Sequence, residues 1–165
     1  MREKREFVNI RLTLAGKYIA EEIRAIVEPK LESKIDDGLI EQIEEDIYAR
    51  LDKELLYGIS ITTHLKVSTS SIIEIATKET KDYTVAKWQE FRRYMSIRPI
   101  DTKGKTNVGT LTPRLYLDKE LKKRLNEYQQ SFMFKEEAVK VKISEVIAIV
   151  LYAYFLQIKG IEWKK

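Results

Sequence analysis

Asn9, Arg11 and Thr13 alternate with Val8, Ile10, Leu12 and Leu14, and far along the chain Thr112, Arg114 and Tyr116 alternate with Leu115 and Leu117. A two-residue period sends successive side chains to opposite faces of a strand, so each stretch gathers its polar residues on one side. The chemistry of those residues is recognition. Arg donates twice to the acceptors of guanine, Asn pairs bidentately with adenine, and Thr bonds a base edge or touches a thymine methyl. A well-formed pair discriminates against the wrong base by about 1–3 kcal/mol. Antiparallel pairing of residues 7–14 with residues 111–117 would set Val8, Ile10, Leu12, Leu14, Leu115 and Leu117 on a core face. Asn9, Arg11, Thr13, Thr112, Arg114 and Tyr116 would then form the outer face of a ribbon that fits a DNA major groove. Tyr116 has a second reading, as a cover for the ribbon's end.

Anion chemistry is expected beside that face. Thr69 and Ser70, and again Lys142 and Ser144, stand where helices begin, and free amides with the helix dipole attract phosphate there. The same hydroxyls serve as N-caps. Arg98, Lys103 and Lys105 lie in an arm of low hydrophobic periodicity, and Arg2, Lys4 and Arg5 in a basic tail. Both add sequence-independent affinity for a polyanion through counterion release.

Catalytic chemistry finds little support. Glu41 and Glu45 share a helix face near Glu44 and Asp46, but no nucleophile, histidine pair or glycine-rich loop accompanies them, so the group reads as solvated surface. His64 stands alone beside Thr62 and Thr63 and reads as structural. With no cysteine and one histidine, metal binding through N or S ligands is excluded. The expectation is a non-enzyme without cofactor or small-molecule substrate.

These residues need elements to hold them. The chain has 165 residues, 44% of them hydrophobic, enough for one compact core or two small intertwined units. Residues 7–14 form a strand, and a helix over 15–28 carries Tyr18, Ile19, Ile23, Ile26 and Val27 until Pro29. Leu39, Ile40, Ile43, Ile47, Leu51 and Leu55 make an apolar stripe on an acidic helix of about 18 residues that stops near Gly58. Residues 59–65 are β-prone. Further helices span 69–80 and 84–95. A basic linker over 96–110 holds Pro99, Gly104 and Gly109. A second strand enters a helix capped by Asp118 with Leu121, Leu125 and Tyr128 inward, and Ser144 caps a strongly apolar last helix ending near Ile158.

Charge is segregated along the chain. Residues 36–54 hold eight acids against two bases, a local charge of −6, which leaves +10 for the rest because the whole carries +4. A basic face meeting a polyanion, with an acidic lobe elsewhere, suits that division. The longest apolar run, residues 146–156, is too short to cross a bilayer, and the charged opening lacks a leader pattern. A soluble, intracellular protein without membrane contact is expected.

The two ends of the chain repeat each other. Arg11-Leu12-Thr13-Leu14 matches Arg114-Leu115-Tyr116-Leu117, and residues 70–76 match residues 144–150 in their serine and apolar positions. An insertion of about 30 residues separates the repeat helices of the first half. Residues 114–155, led by Arg114-Leu-Tyr-Leu-Asp-Lys-Glu-Leu-Lys-Lys-Arg-Leu125, resemble the ribbon-helix-helix regulators, the superfamily of the Arc, methionine and plasmid copy-number repressors. Residues 7–27 with 67–80 do so more loosely, and together the resemblance covers roughly half the chain. Tandem forms are similar to regulators of archaeal viruses and plasmids, and the Lys- and Glu-rich composition suits a thermophile source.

The resemblance implies a mainly α fold with a short two-stranded antiparallel β-ribbon. Two ribbon-helix-helix units in one chain form an intrachain pseudo-dimer with an extra acidic helical insertion. The units span 1–95 (with the insertion at 36–57) and 111–165, joined by the linker. The implied function is sequence-specific binding of double-stranded DNA for transcription regulation, as a repressor or otherwise, in the host cytoplasm if the source is viral. Unlike outer strands imply an asymmetric site for one chain, and oligomerisation on DNA is expected. Tyr152, Tyr154, Phe155 and Trp163 offer one subunit contact, with core burial the competing reading. The alternative function is a protein-interaction module, antitoxin-like or for partition or assembly, whose ribbon only dimerises. A third reading is a small all-helical structural protein with no ribbon.

Overall fold

A computed structural model describes residues 5–52, 54, 56–104 and 114–163. Among them stand six α-helices and two strands. In chain order these are β1 (Arg5–Asn9), α1 (Leu14–Asp36), α2 (Leu39–Arg50), α3 (Thr69–Glu79), α4 (Val85–Ile97), β2 (Arg114–Asp118), α5 (Lys119–Ser131) and α6 (Ile143–Ile158). The expected mainly α fold with one antiparallel two-stranded ribbon is present, and the all-helical alternative falls.

Local contacts fix where the elements begin. Thr13 N-caps α1: its Oγ1 accepts from Gly16 N at 2.9 Å and its carbonyl accepts from Lys17 N at 2.9 Å. A residue so engaged cannot continue a strand, so the strand expected to reach Leu14 stops before Thr13, and β1 spans Arg5–Asn9. Leu14 is exposed at the start of the helix and does not join the core. Pro29 lies inside α1, which runs on to Asp36; the ring deletes one amide donor, and the helix formers on both sides keep the turn. Gly38, at φ 90°, supplies the left-handed residue between α1 and α2. α2 is shorter than its apolar stripe because Leu51 is extended, with a 3₁₀ turn at Leu56–Gly58. Leu55 lies outside the described residues. Residues 59–65 are coil: among the described residues no strand pairs with them, and an unpaired strand does not persist in water.

Two further caps separate similar-looking helices. Ser68 caps α3 in a reciprocal box, accepting from Ser71 N at 3.1 Å while Ser71 Oγ accepts from Ser68 N at 2.9 Å. For α6 the cap position is Lys142, with no side-chain acceptor, and Ser144 sits inside the first turn, not before it. Asp118 caps α5 as expected, and Thr84, expected as the first residue of its helix, caps α4 instead.

The chain forms two compact units, residues 1–23 with 68–165, and residues 24–67. Segments on both sides of the expected linker thus share one core. Its fully buried members include Leu115 and Leu117 from β2, Ile72 and Ile73 from α3, Phe91 from α4, Leu125 from α5, and Ile147 and Leu151 from α6. Trp88 packs in tilted arrangements against Phe132 at 4.6 Å and Tyr128 at 5.5 Å between ring centroids. Tyr152 and Trp163 lie against Phe91 at 5.8 and 5.0 Å, so these two expected subunit contacts are engaged within the chain. Burial pushes the Tyr152 and Tyr154 hydroxyls above their ordinary pKa. The other unit holds the distal part of α1 and α2, and none of its described residues is buried.

Arg92 ties the α5–α6 loop to α4. Its Nη1 donates to the Phe132 carbonyl at 2.6 Å and to Glu137 at 2.7 Å, and its Nη2 reaches the second Glu137 oxygen at 3.0 Å. Together with the Phe134 amide, this guanidinium holds the Glu137 carboxyl below its ordinary value of 4.5. A lowered carboxylate contributes stability above that value and loses it as pH falls through the folded-state pKa. Unfolding followed by circular dichroism is therefore expected to show acid destabilisation below about pH 4.5 that is smaller in Glu137→Gln than in the parent protein.

Candidate nucleic-acid interface

β1 and β2 pair as Arg5↔Asp118, Glu6↔Leu117, Phe7↔Tyr116, Val8↔Leu115 and Asn9↔Arg114. Leu115 and Leu117 face inward with no exposed area, while Arg5, Phe7, Asn9, Arg114 and Tyr116 are exposed on the other side. The outer face therefore reads, along the ribbon, Asn9 with Arg114, then Phe7 with Tyr116, then Arg5 with Asp118.

α3 secures the free edge of this ribbon. Ser70 Oγ accepts from the Tyr116 amide at 2.8 Å, and Glu74 Oε1 accepts from the Asp118 amide at 3.1 Å. In an antiparallel pair alternate amides point away from the partner strand, and these two are such amides. The other Glu74 oxygen, Oε2, takes Arg5 Nη2 at 2.8 Å, which supplies the buried carboxylate with an opposite charge. Asp118 is committed as the α5 cap, its Oδ1 accepting from the Glu120 amide at 2.9 Å. Glu6 pairs with Lys122 at 2.9 Å, and that hydrogen bond lowers its pKa. Glu74 and Glu6 are thus ion-paired and Asp118 is held as a cap, Arg5 being engaged by Glu74, so Arg114 is the outer-face arginine for which no ion pair is seen among the described residues.

The expected reading residues divide. Asn9, Arg114 and Tyr116 occupy the outer face together. Arg11 is exposed but lies beyond the end of β1, in coil. Thr13 caps α1 and is half-buried, so it is not on the face. Thr112 lies outside the described residues. Arg5 and Phe7, which the sequence reading did not place on that face, also lie on it. The alternation continues backward through them, but a carboxylate at Glu6 on the inner parity and a phenyl at Phe7 on the outer one conceal it.

The expected phosphate contacts divide too. Ser70 is buried and satisfied by Tyr116, so it is unavailable to an anion. Thr69, the first residue of α3, is half-buried under a closed capping box. Lys142 is exposed and Ser144 half-buried at the α6 terminus, which lacks a side-chain cap. Arg98 is exposed at the end of α4 with its guanidinium 5.9 Å from the Tyr94 ring, and Lys103 is exposed. Lys105, Arg2 and Lys4 lie outside the described residues.

Phe7 is 72% and Tyr116 41% exposed, yet their ring centroids stand 4.7 Å apart, and the Arg5 guanidinium lies 6.0 Å from the Tyr116 ring. Facing pairs at a non-hydrogen-bonded position approach closely, which brings these two rings together. Among the described residues, no group of three or more His, Cys, Asp or Glu is placed to hold a metal, and no helix is long and apolar enough to cross a membrane. His64 is exposed in coil. No family model matches the chain, and no curated protein or solved structure does.

Removing the Ser70 hydroxyl strips the Tyr116 amide of its acceptor. Ser70→Ala is expected to cost about 1–3 kcal/mol of stability, read as a lowered denaturant midpoint at unchanged slope.

Proposed function

We propose that this chain is a sequence-specific regulator that binds double-stranded DNA by laying the β1–β2 ribbon in the major groove. The observation that supports the reading is the ribbon's outer face, where Arg114 and Asn9 stand side by side next to the Phe7–Tyr116 pair, while Arg5 is held by Glu74 and Asp118 serves as a helix cap. At a rise of about 3.4 Å per residue, five residues reach across about four base-pair steps. Arg114 has the donor fork for guanine and Asn9 the amide for adenine, and they sit side by side in the register.

The ribbon-helix-helix resemblance agrees with this reading. Each strand leads to a capped helix, β1 to α1 through Thr13 and β2 to α5 through Asp118. The repeated serines, Ser70 and Ser144, are each the second residue of their helices, α3 and α6. In the proposal the two halves form an intrachain pseudo-dimer that contacts phosphates through Lys142, Arg98 and Lys103. Because the paired strands differ, one chain recognises an asymmetric site, and further copies bind adjacent sites.

A second reading has one observation in its favour. The unit of residues 24–67 is acidic and has no buried described residue, as suits an arm that meets a protein partner. On that reading the ribbon only joins the two halves of the fold.

Binding to random duplex DNA, measured against salt, separates the two. The DNA reading expects log affinity to fall linearly with log salt, and an absence of binding at low ionic strength would sink it. Arg114→Ala is expected to weaken binding to a selected site by about 1–3 kcal/mol while leaving random-duplex binding nearly unchanged. Equal losses on both would make Arg114 a phosphate contact.

A further inference from the structure

The aromatic pair at the middle of the ribbon lies outside the core and contributes to the fold only through its cross-strand contact. Phe7 and Tyr116 sit on the face opposite Leu115 and Leu117, and the core closes without them. Polar side chains suffice on a solvent-facing strand, so a phenyl ring 72% exposed between Asn9 and Arg5 is a costly choice for water alone. What lies before it in a major groove is a row of base edges whose apolar group is the C5-methyl of thymine. Arg114 and Asn9 flank the pair on one side, while on the other Arg5, ion-paired with Glu74, faces Asp118; the patch is an apolar centre with a cationic and amide edge on the Asn9–Arg114 side, matched to a methyl set among acceptors.

We infer that Phe7 and Tyr116 are specificity-determining residues that select thymine by its methyl group at the centre of the bound site. This inference rests on the DNA reading above. It gives the site an order: the Asn9–Arg114 pair faces bases with hydrogen-bonding edges, and the next step toward Arg5 and Asp118 meets thymine. Phe7 contributes most of the contact, being the more exposed ring, and Tyr116 supports it from the facing strand at 4.7 Å.

The test uses the whole chain and duplex DNA. Sites are selected from random duplexes, and each thymine of the selected core is then replaced singly by deoxyuridine, which removes the methyl and leaves base pairing intact. Burying one methyl implies a loss of about fourfold in affinity at each contacted thymine. Phe7→Ser, shown by circular dichroism to keep the fold, is expected to bind the thymine and uracil duplexes alike. Equal binding of both duplexes by the unaltered protein, or a selected core without thymine, would overturn the inference while leaving DNA binding standing. Failure to bind any duplex at low salt overturns the parent reading instead, and the two failures are told apart in the same experiment.

Discussion

Two acceptors on α3 hold the ribbon in place. A two-stranded sheet is marginal in water and carries an open edge of amides, so something must cover it. Ser70 and Glu74 do so by taking the outward amides of Tyr116 and Asp118. The spacings agree: four helical residues rise about 6 Å, and two strand residues advance about 6.8 Å. Glu74 then spends its second oxygen on Arg5, so one buried carboxylate joins both strands to a helix. With that edge fixed, the ribbon cannot slip by one residue, and a slip of one would carry Leu115 and Leu117 to the surface.

The corresponding place in the second half is built differently. Ser144 sits in α6 where Ser70 sits in α3, but the residue four further on is Ala148, not a glutamate. Ala148 serves helix packing: a Cβ placed at Gly16 would lie 3.5 Å from its own, so α1 and α6 cross with little room between them. A carboxylate there would meet the backbone of α1. The two halves share a serine position and diverge one turn later, one toward an ionic clamp and the other toward a close crossing. The shared serine position thus sits in two different local environments.

Parity was legible in the sequence because a period of two needs no register, and it correctly put Leu115 and Leu117 inside and Asn9, Arg114 and Tyr116 outside. The strand's ends were not. Thr13 looks like an alternating strand residue, and only the amide of Gly16 reveals it as a cap. Ser70 looks like a free hydroxyl at a helix start, and only the distant Tyr116 amide, 46 residues on, shows it to be occupied. Ser144 looks like a cap, yet Lys142 holds that position because α6 begins one residue before the serine. Most helix bodies followed their apolar stripes, but α1 ran past Pro29 to Asp36 and α2 fell short of its stripe where Leu51 turned extended. The errors share a cause, since caps and edge contacts are set by geometry that single-residue propensity does not encode.

The inner and outer faces of the ribbon answer to different constraints. Inside, Leu115 and Leu117 are fixed by close packing, where a change of one methylene is felt. Outside, the fold asks only for residues that tolerate an extended backbone and do not compete for Glu74. Arg5 meets that demand and adds a partner for the carboxylate; Phe7, Asn9, Arg114 and Tyr116 meet it without being required by it. Outer residues are thus free to be set by whatever surface they meet, and the clamp from α3 keeps their backbone from shifting as they do. A rigid inner face under a less constrained outer one lets the outer residues vary while the fold is kept.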